Sequence, residues 1–240
     1  MSTDLYQGMS DFYNAFIQRN RDYRAIAIEL LQLFGDKQDI LDVGIGTGLL
    51  VEQLLLLQPE LQITGIDTST SLLAQAKASL GTQVDLYCQD VCNLQLDKMF
   101  DIAYSRGGAW AFVDDGDTIL LASHILELDA IQQSFARVAA HLRDGGRLMI
   151  ISSNANHSKQ DEFDGEVSFG RTVNKHWVDG EQYLVLDYMC HRQGVLTGRQ
   201  KVRMRLLELE YVESMLRAAG FRLIPYDSTE CRIYQKESAK

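Results

Sequence analysis

The chain is short of basic residues. It carries 33 Asp and Glu against 23 Lys and Arg, a formal net charge of −10 over 240 residues. A surface of that sign repels phosphate backbones and offers no cationic face to an anionic membrane, which argues against nucleic acid and membrane partners. Cysteine is also sparse, at four. Cys88 and Cys92 have no matching second pair, so the spacing of a zinc site is missing and free thiols are expected. Long apolar runs are absent. The longest, Leu49 to Leu57, is interrupted by Glu52 and Gln53 and is too short to span a bilayer. Met1-Ser-Thr-Asp-Leu-Tyr6 is polar and acidic, unlike an export signal, and a cytoplasmic protein is expected. There are two prolines, no internal repeat and no low-complexity linker, so residues 1–240 read as a single domain.

What is present is an alternation of strand and helix signals. Residues 8–34 carry Phe12, Phe16, Ile26, Leu30 and Leu33 at helical spacing and read as an N-terminal helical cap. Asp39–Val43, Gln62–Asp67, Val84–Cys88, Phe100–Tyr104 and Arg147–Ser152 read as short buried strands. Helices are expected over Leu49–Leu57, from Ser69 to about Leu80, and over Ala130–Leu142. This order predicts an α/β fold: a mostly parallel sheet, helices on both faces, ligands at the C-terminal strand edge. After residue 160 the pattern changes. Glu166–Trp177, Glu181–Arg192 and Arg199–Glu208 alternate as three antiparallel strands, joined by turn signals at Asp179-Gly180 and Gln193-Gly194. They read as a β insertion over about 160–208. A helix over Glu210–Ala219 and strands Phe221–Tyr226 and Cys231–Lys236 close the chain.

Ile40-Leu-Asp-Val-Gly-Ile-Gly-Thr-Gly48 runs from a buried strand into a helix. Gly44, Gly46 and Gly48 permit a tight turn and close approach of backbone to a ligand. The spacing is G-x-G-x-G; the dinucleotide fingerprint needs a third small residue where Leu49 stands. Asp67 ends the second strand, where a carboxylate accepts from ribose hydroxyls or simply favours a helix N-terminus. Asp90 follows the third strand, with Val91 beside it, as an adenine-binding pair or as loop residues.

Asp42-Val-Gly-Ile-Gly-Thr-Gly48, Asp67, Gln89-Asp90-Val91, Phe100-Asp101-Ile102 and Leu142-Arg-Asp-Gly-Gly-Arg-Leu148 together resemble the successive motifs of class I S-adenosylmethionine (SAM)-dependent methyltransferases. The resemblance covers roughly residues 38–152 and the closing strand pair. It implies a Rossmann-like seven-stranded sheet with an antiparallel last strand, and the inserted antiparallel sheet as a lid. It implies SAM as cofactor and S-adenosylhomocysteine as product. Gly44, Gly46 and Gly48 would line the methionine portion, Asp67 the ribose, and Asp90 with Val91 the adenine. Ser105 would sit beside the reacting methyl, while Asp42 organises the loop. A looser likeness, through the N-terminal segment and the insertion, is to small-molecule N-methyltransferases of the amino-sugar and glycine/sarcosine types. It places Tyr13 and Tyr23 over the cofactor.

Methyl transfer from a sulfonium is an in-line displacement, in which positioning supplies most of the acceleration. An amine needs only to arrive neutral, whereas a hydroxyl often needs a base or a metal. Nitrogen is favoured over oxygen on this ground. Arg106 reads as a ligand for a carboxylate or phosphate, or as a structural arginine. Trp110 and Phe112 read as an apolar wall of the acceptor site or as ordinary packing, and Asn154 as facing the pocket. His157 is the candidate base; His124, His176 and His191 rank below it. No spacing announces a metal. Residues 105–129 exceed a plain connection and are expected, with the 160–208 sheet, to cover the cleft. The partner expected is a small-molecule acceptor; nothing specifies an oligomeric state. Two alternatives stay open: an NAD-type nucleotide-cofactor oxidoreductase, and a non-catalytic SAM-binding regulator.

Overall fold

A computed structural model describes Asn14 and residues 21–116, 118–153, 158–163, 167–226 and 231–238. The first described helix, α1 (Tyr23–Phe34), is capped by Asp22, whose side chain accepts from the Ala25 N–H at 3.0 Å. Strand β1 (Asp39–Val43) follows, then helix α2 (Leu49–Leu57), strand β2 (Gln62–Asp67) and helix α3 (Thr70–Leu80). Ser69 caps α3 by accepting from the Leu72 N–H, and Gly81 ends it. Strand β3 (Asp85–Cys88) leads through a 3-10 turn to β4 (Phe100–Ser105).

These strands build one sheet with three that come later: β7 (Leu142–Ile151), β12 (Phe221–Ile224) and β13 (Cys231–Lys236). The order is β12-β13-β7-β4-β1-β2-β3. β1 through β4 and β7 are mutually parallel, and β13 is antiparallel to β7. Helices α1, α2 and α3 pack on one face around Leu30, Phe34, Val51 and Leu54. The other face takes α4 (Leu128–His141) and α5 (Leu209–Ala218), around Phe135, Val138, Val212 and Leu216. Burial on both faces is why these strands carry continuous apolar runs.

The second sheet is larger than the sequence pattern indicates. It has six strands, in the order β5-β6-β11-β10-β9-β8. Strands β8 (Lys159–Phe163), β9 (Val167–Val178), β10 (Glu181–Arg192) and β11 (Val195–Glu208) form its outer part, one strand more than expected. The remaining two come from the stretch expected to be an extended loop: β5 (Trp110–Asp114) and β6 (Ile119–Ser123) are a hairpin, joined to β11 through Arg205–Glu208. The lid is therefore hydrogen-bonded to a segment that leaves β4 directly. A third core, with Phe169, Leu184, Leu186 and Val202, packs on Tyr23 and Leu49.

All four cysteines are free thiols, and only Cys88 is exposed. Among the described residues no helix is long and apolar enough to cross a membrane, and no cluster has metal-binding geometry.

Candidate functional site

The C-terminal ends of β1, β2, β3 and β4 open into a cleft of about 690 Å³. The glycine loop forms its floor. The N–H groups of Gly44 and Ile45 donate to the Ile66 carbonyl, tying the loop to β2. Gly44 has φ +87°, and a Cβ on it would lie 2.3 Å from the Cα of Gly108. The reverse also holds: a Cβ on Gly108 would lie 2.4 Å from the Val43 carbonyl oxygen. Two backbones are thus in contact, and Gly107-Gly108 after β4 is as necessary to the cradle as the loop itself.

Gly44, Ile45, Gly46 and Thr47 line the cleft. Gly48 does not; in the left-handed conformation, φ +81°, it starts α2 and faces Leu80, so it shapes the exit of the loop. Asp67 lines the cleft and holds the loop in place: one carboxylate oxygen accepts from the Gly46 N–H and the other from the Ser69 N–H, each at 2.9 Å. Asp90 caps the 3-10 turn through the Cys92 N–H and lines the cleft beside Gln89 and Val91.

Asp42 is buried beneath the loop and reaches the cleft. The Tyr104 hydroxyl donates to it at 2.5 Å. Burial pushes the Asp42 carboxyl up to about 7; the Tyr104 hydrogen bond counteracts this and the nearby Asp67 charge adds to it.

Tyr23 and Arg106 line the cleft together, with the guanidinium 5.8 Å from the ring centroid. Ser105 does not line it: this side chain is fully buried, accepting from the Trp110 N–H and donating to the Trp110 carbonyl. Its work is to close the turn into β5. Trp110 and Phe112 are not an acceptor wall. Both are buried against the helices α4 and α5, and Trp110 packs on Phe135 with centroids 4.9 Å apart. Strand alternation from β5 sends them into the main core instead of the cleft. Tyr13, Asn154 and His157 lie outside the described residues.

His124, ranked low from sequence, does line the cleft. It follows β6, and its backbone N–H donates to the Ala109 carbonyl. Its ring hydrogen-bonds the Gly107 backbone, and burial holds its pKa down to about 4. A neutral imidazole that donates to a carbonyl keeps its other nitrogen unprotonated. Ile125, Leu126, Lys201, Val202 and Arg203 complete the wall opposite the loop. No local signal marked these lid residues.

Comparison with known proteins agrees with this geometry. Residues 40–146 match the family described as methyltransferase domain. The chain is similar to the malonyl-[acyl-carrier protein] O-methyltransferase of Bacillus anthracis, 37% identical over 93 residues, 38% of this chain and 35% of that one. It is similar to the Bacillus cereus protein of the same name, 25% identical over 189 residues, 76% of this chain and 61% of that one. The chain thus spans between about a third and three fifths of the length of these relatives. Among solved structures, it is similar to an S-adenosylmethionine-dependent methyltransferase from Clostridium acetobutylicum, with TM-score 0.69, 19% identity and coverage of 98% and 99%. It is also similar to Streptomyces venezuelae DesVI, with TM-score 0.70, 19% identity and coverage of 95% and 98%. A third is CalS10, an amino pentose methyltransferase from Micromonospora echinaspora, with TM-score 0.69, 16% identity and coverage of 94% and 96%. Residues 40–146 are thus similar to a methyltransferase domain, and the chain shares its fold with these solved methyltransferases.

Proposed function

We propose that the protein transfers a methyl group from SAM to a small acceptor that carries an anionic group, with an amine nitrogen as nucleophile. The observation that carries this reading is the meeting of both charge signs in one cleft. Asp42, Asp67 and Asp90 line it at the strand ends, and Arg21, Arg106, Lys201 and Arg203 line it as well. SAM supplies a methyl group on a positively charged sulfur, which the acidic groups favour. The basic groups favour a carboxylate or phosphate on the acceptor. Gly44, Gly46, Asp67, Asp90 and Val91 would hold the cofactor, and Tyr23 would close over it. His124, neutral and with one ring nitrogen unprotonated, would accept a hydrogen bond from an N–H of an amine that arrives neutral, and so orient its lone pair.

A second reading, O-methylation of a carboxylate, draws support from the printed activity of the malonyl-[acyl-carrier protein] relatives. A carboxylate has no N–H to offer the unprotonated ring nitrogen, so His124 separates the two. The test is a mass-spectrometric methyl-transfer assay on two panels: small anionic amines and malonyl thioesters. Methylated amines that depend on His124 support the first reading. Methyl esters formed equally well by His124→Asn support the second. Failure on both panels despite tight SAM binding would favour a non-catalytic regulator.

A further inference from the structure

Strand β11 has an unpaired stretch that faces the cleft. On one side β10 runs beside it from Val195 to Leu206. On the other side its pairing with β6 begins only at Arg205. Among the described residues, no strand pairs with the second edge of residues 199–204. Three consecutive members, Lys201, Val202 and Arg203, line the cleft. Successive strand side chains point to opposite faces, so a space that touches all three touches the backbone edge. In an antiparallel pair alternate residues direct N–H and C=O at the partner, and the others direct theirs away. About half of this stretch therefore turns its backbone polar groups toward the cleft.

A second observation falls on the same strand. Gln200 is only 6% exposed, and neither its amide nitrogen nor its amide oxygen has a hydrogen-bond partner. Gln200 is not among the residues that line the cleft, so the groups open to a ligand there are those of the backbone edge at Lys201, Val202 and Arg203. The opposite face of the strand is cationic: Arg199, Lys201 and Arg203 are exposed, in a chain whose net charge is −10. Asp187 engages Arg199 and Lys201, and Arg203 stacks 3.6 Å from the Tyr183 centroid.

The unmade groups come as donors and acceptors side by side. A carboxylate or phosphate offers acceptors only, and an ammonium offers donors only. A secondary amide offers both, at the spacing of a strand edge. We infer that residues 199–203 of β11 are an acceptor-binding strand, taking an extended acceptor that carries secondary amides, with its anionic end beside Lys201 and Arg203. This deepens the acceptor reading above and rests on it.

The test uses the full chain with S-adenosylhomocysteine and two matched probes. Triglycine and 8-aminooctanoate carry the same terminal amine and carboxylate at the same separation, but only triglycine has internal amides. Calorimetry is expected to show triglycine binding at least about tenfold tighter, equivalent to 1.4 kcal/mol. Hydrogen exchange at residues 199–204 is expected to slow at least about tenfold in its presence. Equal affinity for the two probes, no binding of either, or no protection at 199–204 would overturn the inference. Methyl transfer to small anionic amines without that protection sinks the strand and leaves the proposed function standing. Protection without methyl transfer to any acceptor supports the strand and sinks the proposed function.

Discussion

The two sides of the cleft differ in how far their polar groups are already committed. On the loop side Asp67 holds Gly46 and Ser69, Asp90 holds Cys92, and Asp42 holds Tyr104. On the lid side, among the described residues, a stretch of β11 has no strand along its second edge. The loop side is thus organised before any ligand arrives, as a site for one fixed molecule should be. The lid side leaves its hydrogen bonds to be completed. The contrast teaches that, on the proposed reading, the fold alone builds the cofactor side, while the acceptor completes the lid side.

Four measurements break or sharpen this contrast. Trp110 belongs to neither side, and Trp110→Ala is expected to cost about 3–5 kcal/mol of stability in urea unfolding. In the milder Trp110→Phe, acceptor KM should stay within about twofold; a larger change in folded protein returns Trp110 to the acceptor wall. Asp42 tests the loop side through pH. Its carboxyl stands near 7 in the folded chain against 3.8 ordinarily, so the folded state holds the proton longer. Stability from this group is therefore lost as pH rises from about 4 to about 7, by up to roughly 4 kcal/mol. Denaturant unfolding of Asp42→Asn should lack that slope. His124 acts in the opposite sense: its lowered pKa gives stability that is present above 6.5 and lost as pH falls through about 4.

Gly108→Ala forces a Cβ onto the backbone of Val43 and Gly44. Overpacking of about 3 kcal/mol should weaken SAM binding roughly 100-fold by calorimetry. Unchanged binding would mean that the two backbones separate freely. The smallest effect expected is on the lid side of the chemistry. His124→Asn should lower kcat for an amine acceptor about tenfold with SAM affinity unchanged, the loss of one orienting hydrogen bond, and the wild-type rate should rise with pH as the acceptor amine loses its proton.

Much of the central sheet is legible along the chain, because its signals are local. Ile40 to Val43 reads as a buried strand, and the glycines after it need conformations that other residues avoid. Ser69 and Gly81 mark the two ends of α3, and they do so in the structure. The β5–β6 hairpin is not legible. Trp110 and Phe112 enter the main core while Val113 and Leu120 enter the lid core, so the hairpin is buried on both faces. Alternation, the usual mark of a strand, is then absent. That omission carried others with it. Trp110 and Phe112 read as cleft lining only while 105–129 was a loop, and His124 reaches the cleft only because the hairpin brings it back to Gly107 and Ala109.

What the chain determines by itself is the cofactor side: a G-x-G-x-G turn, acids at successive strand ends, and Leu49 where a dinucleotide loop needs a small residue. These follow from backbone conformations and spacings within a few residues of one another. Only the tertiary structure decides the acceptor side. Lys201 and Arg203 line the same cleft as Gly44 because β11 pairs with β6, and β6 returns from β5 to the end of β4. Pairing over such separations depends on which faces are buried in the assembled chain, and no short stretch of sequence contains that information.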